Sequence, residues 1–241
     1  MTDSSSLSTP YSDGSGIMFD RIAKRYDKMN RLISFGLDKK WRAKLLRQLG
    51  TLKPGDQVLD LATGTADVAL AICAFAEGVS VLGVDPSEGM LQVGRQKVKQ
   101  AQLSDRIRLE TGDAQALQVE DNRFAASCIS FGIRNVPDRR KGISEMARTT
   151  RPGGRVVILE LSEPESGFLA PFARFHIHHV VPNLGAFLSG ASEYRYLQKS
   201  IEAFPPADQF AQLMESCGLK NIQVQKLTLG TAHLYTGTVA P

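Results

Sequence analysis

Small or acidic residues follow four successive predicted strands, at the points where each strand ends. Because the carboxyl ends of parallel strands meet at one edge of a sheet, where open α/β folds bind their ligands, we expect these residues to form one site. Small residues after the first strand would also let backbone N–H groups approach a ligand closely. The six candidate cofactor-binding residues are Gly64, Thr65, Asp85, Asp113, Ala114 and Ser130.

The spacing of two of these residues indicates a nucleoside-containing cofactor. Asp85 follows Gly64 by about 20 residues and ends the second predicted strand, where a carboxylate can accept hydrogen bonds from both ribose hydroxyls. Asp113 stands where a carboxylate or a neighbouring amide can meet an adenine edge. A nicotinamide dinucleotide would use the same first turn, but its G-x-G-x-x-G pattern requires glycine where Ala66 and Ala69 stand.

The elements that must position these residues begin with a helical N-terminal region. Residues 1–16 are rich in Ser, Thr, Asp and Gly and are predicted to be disordered. Apolar positions then step by three and four from Phe19 to Ile33, which predicts an amphipathic helix. Asp38 is a candidate N-cap for a second helix. Residues 17–50 would thus form a helical cover.

Strands and helices alternate through the middle of the chain, which predicts a parallel sheet with helices on both faces. Two β-rich segments at the carboxyl end lie close enough in sequence to pair as an antiparallel hairpin. The predicted strands lie near residues 58–61, 79–84, 106–110, 125–131, 155–161, 220–227 and 231–239, and the helices near 67–76, 87–101, 138–149, 192–203 and 206–217.

Several longer motifs are more specific than the nucleoside-binding turn. They are Phe19–Ala23, Tyr26–Asn30, Ser130–Val136, Arg151–Arg155 and Tyr194–Leu197. With these motifs the chain resembles, over residues 17–239, the ubiquinone/menaquinone biosynthesis C-methyltransferase family of class I methyltransferases. It departs from the family pattern at Ala66, where glycine is frequent, and at Asp38, where histidine is frequent.

The resemblance implies a fold, a cofactor and a reaction. The fold would be a Rossmann-like α/β domain over residues 17–241, with a seven-stranded, mostly parallel sheet, an antiparallel last strand and a substrate-covering insertion at 163–205. S-adenosyl-L-methionine (SAM) would be the methyl donor, with no metal. The acceptor would be a ring carbon of a polyprenylated quinol, with demethylmenaquinol preferred over the benzoquinol of the ubiquinone pathway.

Methylation of a ring carbon requires an electron-rich ring, held in line with the donor and stabilised as phenolate-like charge develops. Arg134 offers a permanent positive charge and a planar set of donors, and Asn135 can orient a ring oxygen or a water molecule. The resemblance places both residues at the acceptor end of the site, together with Tyr26 on the covering helix. Tyr194, Tyr196 and Phe172 are the candidate substrate-binding residues.

Composition limits the possible partners and location. The 241 residues carry a formal charge of +4, with 42% hydrophobic and 22% charged residues, which is typical of a globular protein. This charge looks too diffuse for nucleic acid. Without a signal peptide or an apolar run of about 18 residues, the chain is expected in the cytoplasm, with peripheral contact at the inner face of the membrane. The apolar residues 168–188 are predicted to cover the prenyl tail and touch the membrane, with core packing as the alternative.

The sequence is also compatible with two other functions. The chain could methylate another small lipophilic molecule, or it could be a non-catalytic SAM-binding member of a quinone-biosynthesis complex. The sequence does not distinguish a naphthoquinol from a benzoquinol by any physical feature, and it is compatible with a homo-oligomer. These alternatives make turnover by the purified protein the first property to measure.

Overall fold

The computed structural model describes residues 15–162 and 191–240. Seven helices longer than one turn are described. They are α1 (Ser15–Ile33), α2 (Leu37–Gln48), α3 (Asp67–Phe75), α4 (Glu88–Gln100), α5 (Arg139–Thr149), α6 (Ala191–Glu202) and α7 (Ala207–Ser216). The strands are β1 (Gln57–Leu61), β2 (Ser80–Asp85), β3 (Ile107–Thr111), β4 (Phe124–Ser130), β5 (Thr150–Leu161), β6 (Leu219–Leu227) and β7 (Ala232–Val239). Every predicted strand and helix in these ranges is present, with ends shifted by a few residues.

All seven strands form one sheet in the order β3-β2-β1-β4-β5-β7-β6. The first five strands pair in parallel, whereas β7 runs antiparallel to both β5 and β6. This arrangement confirms the predicted terminal hairpin and the predicted antiparallel last strand. It also brings the carboxyl ends of β1 to β4 to one edge, which we call the upper edge.

Two apolar layers hold the helices against the sheet. Successive residues Val58 and Leu59 of β1 point to opposite faces and are both fully buried, as expected for a central parallel strand. Val58 packs with residues of α2, α3 and α4. Leu59 packs with residues of α5 and α7. A third, smaller cluster joins Ile22 and Met29 of α1 to Leu197 of α6.

The N-terminal region differs from its prediction in two details. Helix α1 begins at Ser15, so Ser15 and Gly16 are helical and not disordered as predicted, and the prediction for residues 1–14 lies outside the described part of the chain. The predicted N-cap at Asp38 is wrong, because α2 begins at Leu37 with Gly36 before it. Asp38 instead lies buried in the first turn, where it accepts a hydrogen bond from Ser34 Oγ at 2.9 Å.

The insertion predicted to cover the substrate is described only in part. Residues 163–190, which include the apolar stretch 168–188, lie outside the described residues. The rest of the predicted insertion forms α6, whose residue Leu197 packs against α1. No helix within the described ranges is long and apolar enough to cross a bilayer.

Candidate cofactor and acceptor site

A cavity opens at the upper edge of the sheet, between the ends of β1 to β4 and helix α1. Its volume is about 600 Å³, within the usual range for a site that takes a small molecule. Its walls come from five loops or helices that are distant in sequence. They comprise Phe19, Tyr26, Leu61, Ala62, Gly64, Val84, Asp85, Pro86, Met90, Thr111, Gly112, Asp113, Ala114, Gln115, Phe131, Gly132, Asn135, Val136 and Pro137.

The turn after β1 approaches the cavity through left-handed backbone. Gly64 lines the cavity with φ +57°, and an added Cβ would come within 3.1 Å of Met90 Cε. Ala66, which precedes α3, has φ +64° and is fully buried. An L-residue pays about 1–2 kcal/mol in this conformation, so the backbone at this position would favour glycine.

Asp85 is the most buried acidic residue that lines the cavity. Its Oδ2 accepts a hydrogen bond from the Gly64 N–H at 2.8 Å, and its Oδ1 accepts one from the Ser87 N–H at 2.9 Å. The carboxylate therefore joins the ends of β1 and β2. Burial raises the pKa of this carboxyl to about 6; its two backbone donors lower the pKa, and nearby Asp20 raises it further.

The ends of β3 and β4 complete the predicted cofactor set. Asp113 and Ala114 both line the cavity, and Asp113 Oδ1 accepts a hydrogen bond from the Gln115 N–H at 2.9 Å. Ser130 ends β4, and its hydroxyl is buried with no hydrogen-bonding partner in the described structure. Ser130 is not among the residues that line the cavity, so its contact with a cofactor stays a prediction.

Helix α1 is attached across the site by the carboxylate of Asp20. Asp20 Oδ1 accepts hydrogen bonds from Ser87 Oγ at 2.6 Å and from the Gly89 N–H at 2.8 Å. This contact satisfies a backbone donor at the start of α4. A Cβ at Gly89 would lie 2.8 Å from Asp20 Oδ1, so only glycine allows this approach.

Thr65, the sixth predicted cofactor-binding residue, lies behind the cavity rather than in its wall. Its hydroxyl donates to Asp27 Oδ1 of α1 at 2.6 Å and accepts from Lys97 Nζ at 3.0 Å. Lys97 also forms ion pairs with Asp27 at 2.5 Å and with Asp67 at 2.6 Å. Thr65 thus connects the β1 turn to α1 and α4, and direct contact with a cofactor stays a prediction.

Aromatic side chains form the wall of the cavity on the side of α1, where Phe19 and Tyr26 line it and Tyr196 lies behind them. Phe19 packs edge-on against Tyr26 and Tyr196, with ring centroids 5.9 and 6.5 Å apart. The Tyr196 hydroxyl donates to Asn135 Oδ1 at 3.0 Å. Because that oxygen is engaged by Tyr196, the amide nitrogen of Asn135 is the group available to donate to a ligand.

Arg134 lies beneath the cavity and is not among the residues that line it. Its Nη1 donates to Glu160 Oε1 at 2.6 Å and to the Phe131 carbonyl at 2.7 Å, while Nε donates to Ser200 Oγ at 3.3 Å. Its described partners are all protein groups, and a direct role of Arg134 on a ring oxygen or a water molecule stays a prediction. The guanidinium holds the turn that carries Phe131 and Asn135.

The ion pair between Arg134 and Glu160 is almost fully buried, with side-chain exposures of 6% and 0%. Burial is the largest single effect on the pKa of Arg134 and lowers it, but the charge and hydrogen bond of Glu160, together with Tyr26 and Tyr196, raise it by more in sum, so the net pKa is raised. Glu160 also accepts from the Arg134 N–H at 3.1 Å. These contacts join the end of β5 to the turn after β4.

Two of the predicted substrate-binding residues cannot be placed against the cavity. Phe172 lies outside the described residues, and of Tyr194 only its backbone position in α6 is described. Within residues 15–162 and 191–240, no group of three or more His, Cys, Asp or Glu is arranged to hold a metal ion.

Comparison with known proteins identifies the family. The model of the ubiE/COQ5 methyltransferase family matches residues 12–239. The chain belongs to this family. Its membership confirms the resemblance inferred from the motifs and the predicted enzyme class, a SAM-dependent methyltransferase.

Named relatives of the ubiE/COQ5 methyltransferase family match along most of this chain. A protein of Geotalea daltonii named ubiquinone/menaquinone biosynthesis C-methyltransferase UbiE is 43% identical over 221 residues, which cover 91% of this chain and 94% of the relative. A demethylmenaquinone methyltransferase of Bacteroides fragilis is 40% identical over 222 residues, covering 92% of this chain and 90% of the relative.

Solved structures confirm the predicted fold class. Phosphoethanolamine N-methyltransferase 2 of Haemonchus contortus, in complex with S-adenosyl-L-methionine, superimposes with a TM-score of 0.68 at 17% identity, covering 92% of this chain and 60% of that one. A putative SAM-dependent methyltransferase of Methanococcus maripaludis gives 0.65 at 16% identity, covering 92% of this chain and 94% of that one.

Three residues that hold the site together are not among the site residues predicted from the sequence. Asp20 and Lys97 hold α1 in place, and Glu160 holds Arg134. Glu160 carried a readable signal, because it follows the buried run from Val156 to Leu159 just as Asp85 follows its own strand. Asp20 and Lys97 carried none, since both belong to helices in which most of the other charged residues face solvent.

The raised pKa of Asp85 predicts that SAM binding depends on pH. The ionised carboxylate is the form that accepts hydrogen bonds, so affinity should fall as pH drops through about 6, becoming roughly tenfold weaker at about pH 5 than at about pH 8. Titration calorimetry across this range tests the expectation. Asp85→Asn should remove the pH dependence, whereas Asp60→Asn, which changes a second buried carboxyl whose pKa burial raises to about 6, should keep it.

The expected loss of SAM affinity at low pH would not be caused by unfolding through these two carboxyls. The folded-state pKa values of Asp60 and Asp85 lie above the ordinary value of 3.8, so the folded protein binds these protons first as pH falls. Both carboxyls therefore make the free energy of unfolding larger, not smaller, as pH drops from about 6 towards about 4. A pH-independent affinity of the wild-type protein would contradict the role assigned to Asp85.

Proposed function

We propose that this protein transfers a methyl group from SAM to a ring carbon of a polyprenylated quinol, with demethylmenaquinol as the leading acceptor. The observation that carries the proposal is membership of the ubiE/COQ5 methyltransferase family together with a cavity of about 600 Å³ at the upper edge of the sheet. The names of the two relatives support an acceptor from the menaquinone or ubiquinone pathway.

The residues at the β1 to β4 ends fit SAM in three respects. Gly64 lets the backbone approach without a side chain, Asp85 presents a buried carboxylate, and Ser130 has a buried hydroxyl with no hydrogen-bonding partner among the described residues. We assign Asp85 to the ribose hydroxyls, and Asp113 and Ala114 to the adenine edge. When bound, SAM supplies a methyl group attached to a positively charged sulfur.

The acceptor end of the cavity provides a place for an aromatic ring. Phe19 and Tyr26 present ring edges and faces, which favour offset or edge-on packing with another ring and keep water away. The Asn135 amide nitrogen can donate to a ring oxygen and stabilise the negative charge that develops on it. Tyr196 keeps the Asn135 amide in that orientation through its hydroxyl.

Arg134 contributes as a positioning residue in this proposal. Its contacts with the Phe131 carbonyl and with Glu160 fix the turn from Phe131 to Asn135. Because effective catalysis requires reacting groups to be held within fractions of an ångström, the rigidity of this turn sets how well Asn135 meets the ring. The buried positive charge also lies near Tyr26 and Tyr196, at the end where the ring oxygen becomes negative.

The proposed acceptor also implies where the protein works. A polyprenylated quinol is dissolved in the bilayer, so we propose a cytoplasmic protein that makes transient contact with the inner face of the membrane. The apolar segment 168–188 stays a prediction as the cover for the prenyl tail. Phe172→Asp with Phe175→Asp should then reduce turnover of a long-chain quinol and spare a tail-less analogue.

A direct comparison of acceptors tests the proposal. Chemically reduced demethylmenaquinol and the corresponding ubiquinone-pathway benzoquinol are each supplied with SAM labelled in the methyl group, and labelled product is measured. We expect transfer to at least demethylmenaquinol. Absence of labelled product with both quinols, from a protein that binds SAM, would favour the non-catalytic alternative.

A further inference from the structure

Positive charge is concentrated on the two N-terminal helices. Residues 15–48 contain ten Lys or Arg and three Asp, a formal charge of +7, whereas the whole chain carries only +4. The remainder of the protein is therefore net negative. All three aspartates are already bonded within the protein, to Ser87, Lys97 and Ser34. Nine of the ten basic residues are exposed, namely Arg21, Lys24, Arg25, Lys28, Arg31, Lys39, Lys40, Lys44 and Arg47.

This distribution corrects the estimate from composition, which treated the basic charge as diffuse. On α1 the exposed bases recur at three- and four-residue intervals, so they form one helical face opposite Ile22 and Met29. Lys39 and Lys40 lie in the first turn of α2. A concentration of one sign of charge on an exposed face favours contact with anionic partners.

Two exposed apolar side chains accompany the basic helices. Phe35, in the turn between α1 and α2, is 68% exposed, and Leu229, in the turn between β6 and β7, is 54% exposed. Both residues also have left-handed backbone, with φ +50° and +59°. This conformation is unfavourable for a residue other than glycine, and strained residues often cluster at binding sites.

Both turns lie at the upper edge of the sheet, the edge at which the cavity opens. Leu227 ends β6 and pairs with Ala232, which in turn pairs with Leu161 at the carboxyl end of β5. Trp41 Nε1 of α2 donates to Thr228 Oγ1 at 2.9 Å, which ties the start of α2 to the same turn. Phe35 precedes this helix and so lies at that edge.

We propose that Phe35, Leu229, Arg31, Lys39 and Lys40 form a docking surface for an anionic phospholipid bilayer. The basic side chains would contact lipid phosphates while the two apolar side chains enter the interface, a combination of weak signals that gives reversible binding. The surface would place the cavity mouth against the bilayer. The biological use of this surface rests on the proposed quinol substrate, whereas the structural evidence for the surface does not depend on it.

The exposed apolar side chains favour a bilayer over nucleic acid as the partner. A phosphate backbone could use the basic residues, but it offers no apolar phase for an aliphatic side chain such as Leu229. An interface between water and acyl chains uses both features together. Binding of nucleic acid is therefore an outcome that the experiment must be able to reveal.

The experiment is vesicle sedimentation with the purified full chain, without quinol or SAM. Vesicles contain either phosphatidylcholine alone or phosphatidylcholine with phosphatidylglycerol, at low and at high salt. We expect binding to the phosphatidylglycerol vesicles at low salt and at least tenfold weaker partitioning at high salt or without the anionic lipid. Equal binding to both vesicle types, or binding to neither, would overturn the proposal.

Matched variants test the location of the surface. Lys39→Glu with Lys40→Glu should weaken partitioning about tenfold or more, and glutamate in the first turn of α2 favours the helix dipole, so the fold should persist. The control, Lys53→Glu with Lys220→Glu, makes the same charge change before β1 and at the start of β6, at the lower edge of the sheet, and should partition nearly as wild type. An equal loss in both pairs would contradict the assigned surface.

The contribution of the exposed apolar side chains is tested with a separate pair of variants. Phe35→Ser should weaken partitioning several-fold, whereas Phe75→Ser, which removes another half-exposed phenylalanine at the lower end of α3, should not. Tighter binding of a fluorescent oligonucleotide than of anionic vesicles, lost in the Lys39 and Lys40 variant, would make the surface a nucleic-acid site and overturn the proposal. Turnover of a tail-less quinol should be the same in all variants, so failure of docking remains distinct from failure of the proposed reaction.

Discussion

Removing both charges of the buried ion pair, by Arg134→Met with Glu160→Gln, is expected to lower kcat about 100-fold and to leave SAM affinity within a few-fold of wild type. The reason is that Arg134 holds the turn from Phe131 to Asn135, and misplacing an acceptor-binding group by about 1 Å can cost about 10² in rate. Steady-state kinetics at saturating SAM, with calorimetry for SAM binding, separates the two effects.

The double replacement is needed because the single one would be ambiguous. Arg134→Ala leaves the fully buried Glu160 without its partner, and breaking such a pair typically costs about 3–5 kcal/mol of stability. Arg134→Lys gives a graded control, since an ammonium group keeps the charge but cannot reach Glu160, the Phe131 carbonyl and Ser200 in the same planar geometry. A folded double variant with kcat within a few-fold of wild type would show that Arg134 is only structural.

Asp85→Ala is expected to weaken SAM binding by about 10- to 100-fold while the fold persists. Losing a charged acceptor from a hydrogen-bonded pair costs about 1.5–3 kcal/mol, and the variant also leaves the Gly64 and Ser87 N–H groups without their acceptor. Calorimetry gives the affinity and thermal unfolding gives the control. Asp85→Asn, which keeps one oxygen acceptor, should lie between wild type and alanine. An unchanged affinity in the alanine variant would contradict the assignment.

The sheet and its helices could be predicted because their signals are local. Buried runs such as Val58 to Leu61 identify central strands, and the short gap between 227 and 232 requires a hairpin. The order of the strands along the chain then places Gly64, Asp85, Asp113 and Ala114 around one cavity. The position of each of these residues after its strand can be predicted from the sequence, and the parallel pairing of the strands brings the residues together.

Whether a side chain lines the cavity or lies behind its wall could not be predicted in the same way. Arg134 precedes a residue that lines the cavity, yet it turns inward because Glu160 ends the neighbouring strand β5 and offers a buried carboxylate. Likewise Thr65 is drawn behind the site by Asp27 and Lys97, which come from two separate helices. Such partners are distant in sequence, so their pairing appears only when the chain is folded.

The most direct test of the account is the chemical identity of the product. The purified protein is incubated with carbon-13 methyl-labelled SAM and demethylmenaquinone, either chemically reduced or left oxidised, and the product is analysed by NMR. We expect the labelled methyl on a ring carbon, formed with the reduced acceptor and not with the oxidised one, because only the quinol ring is electron-rich enough to take it. A labelled methyl ether, or equal labelling with the oxidised quinone, would contradict methylation of the quinol ring carbon.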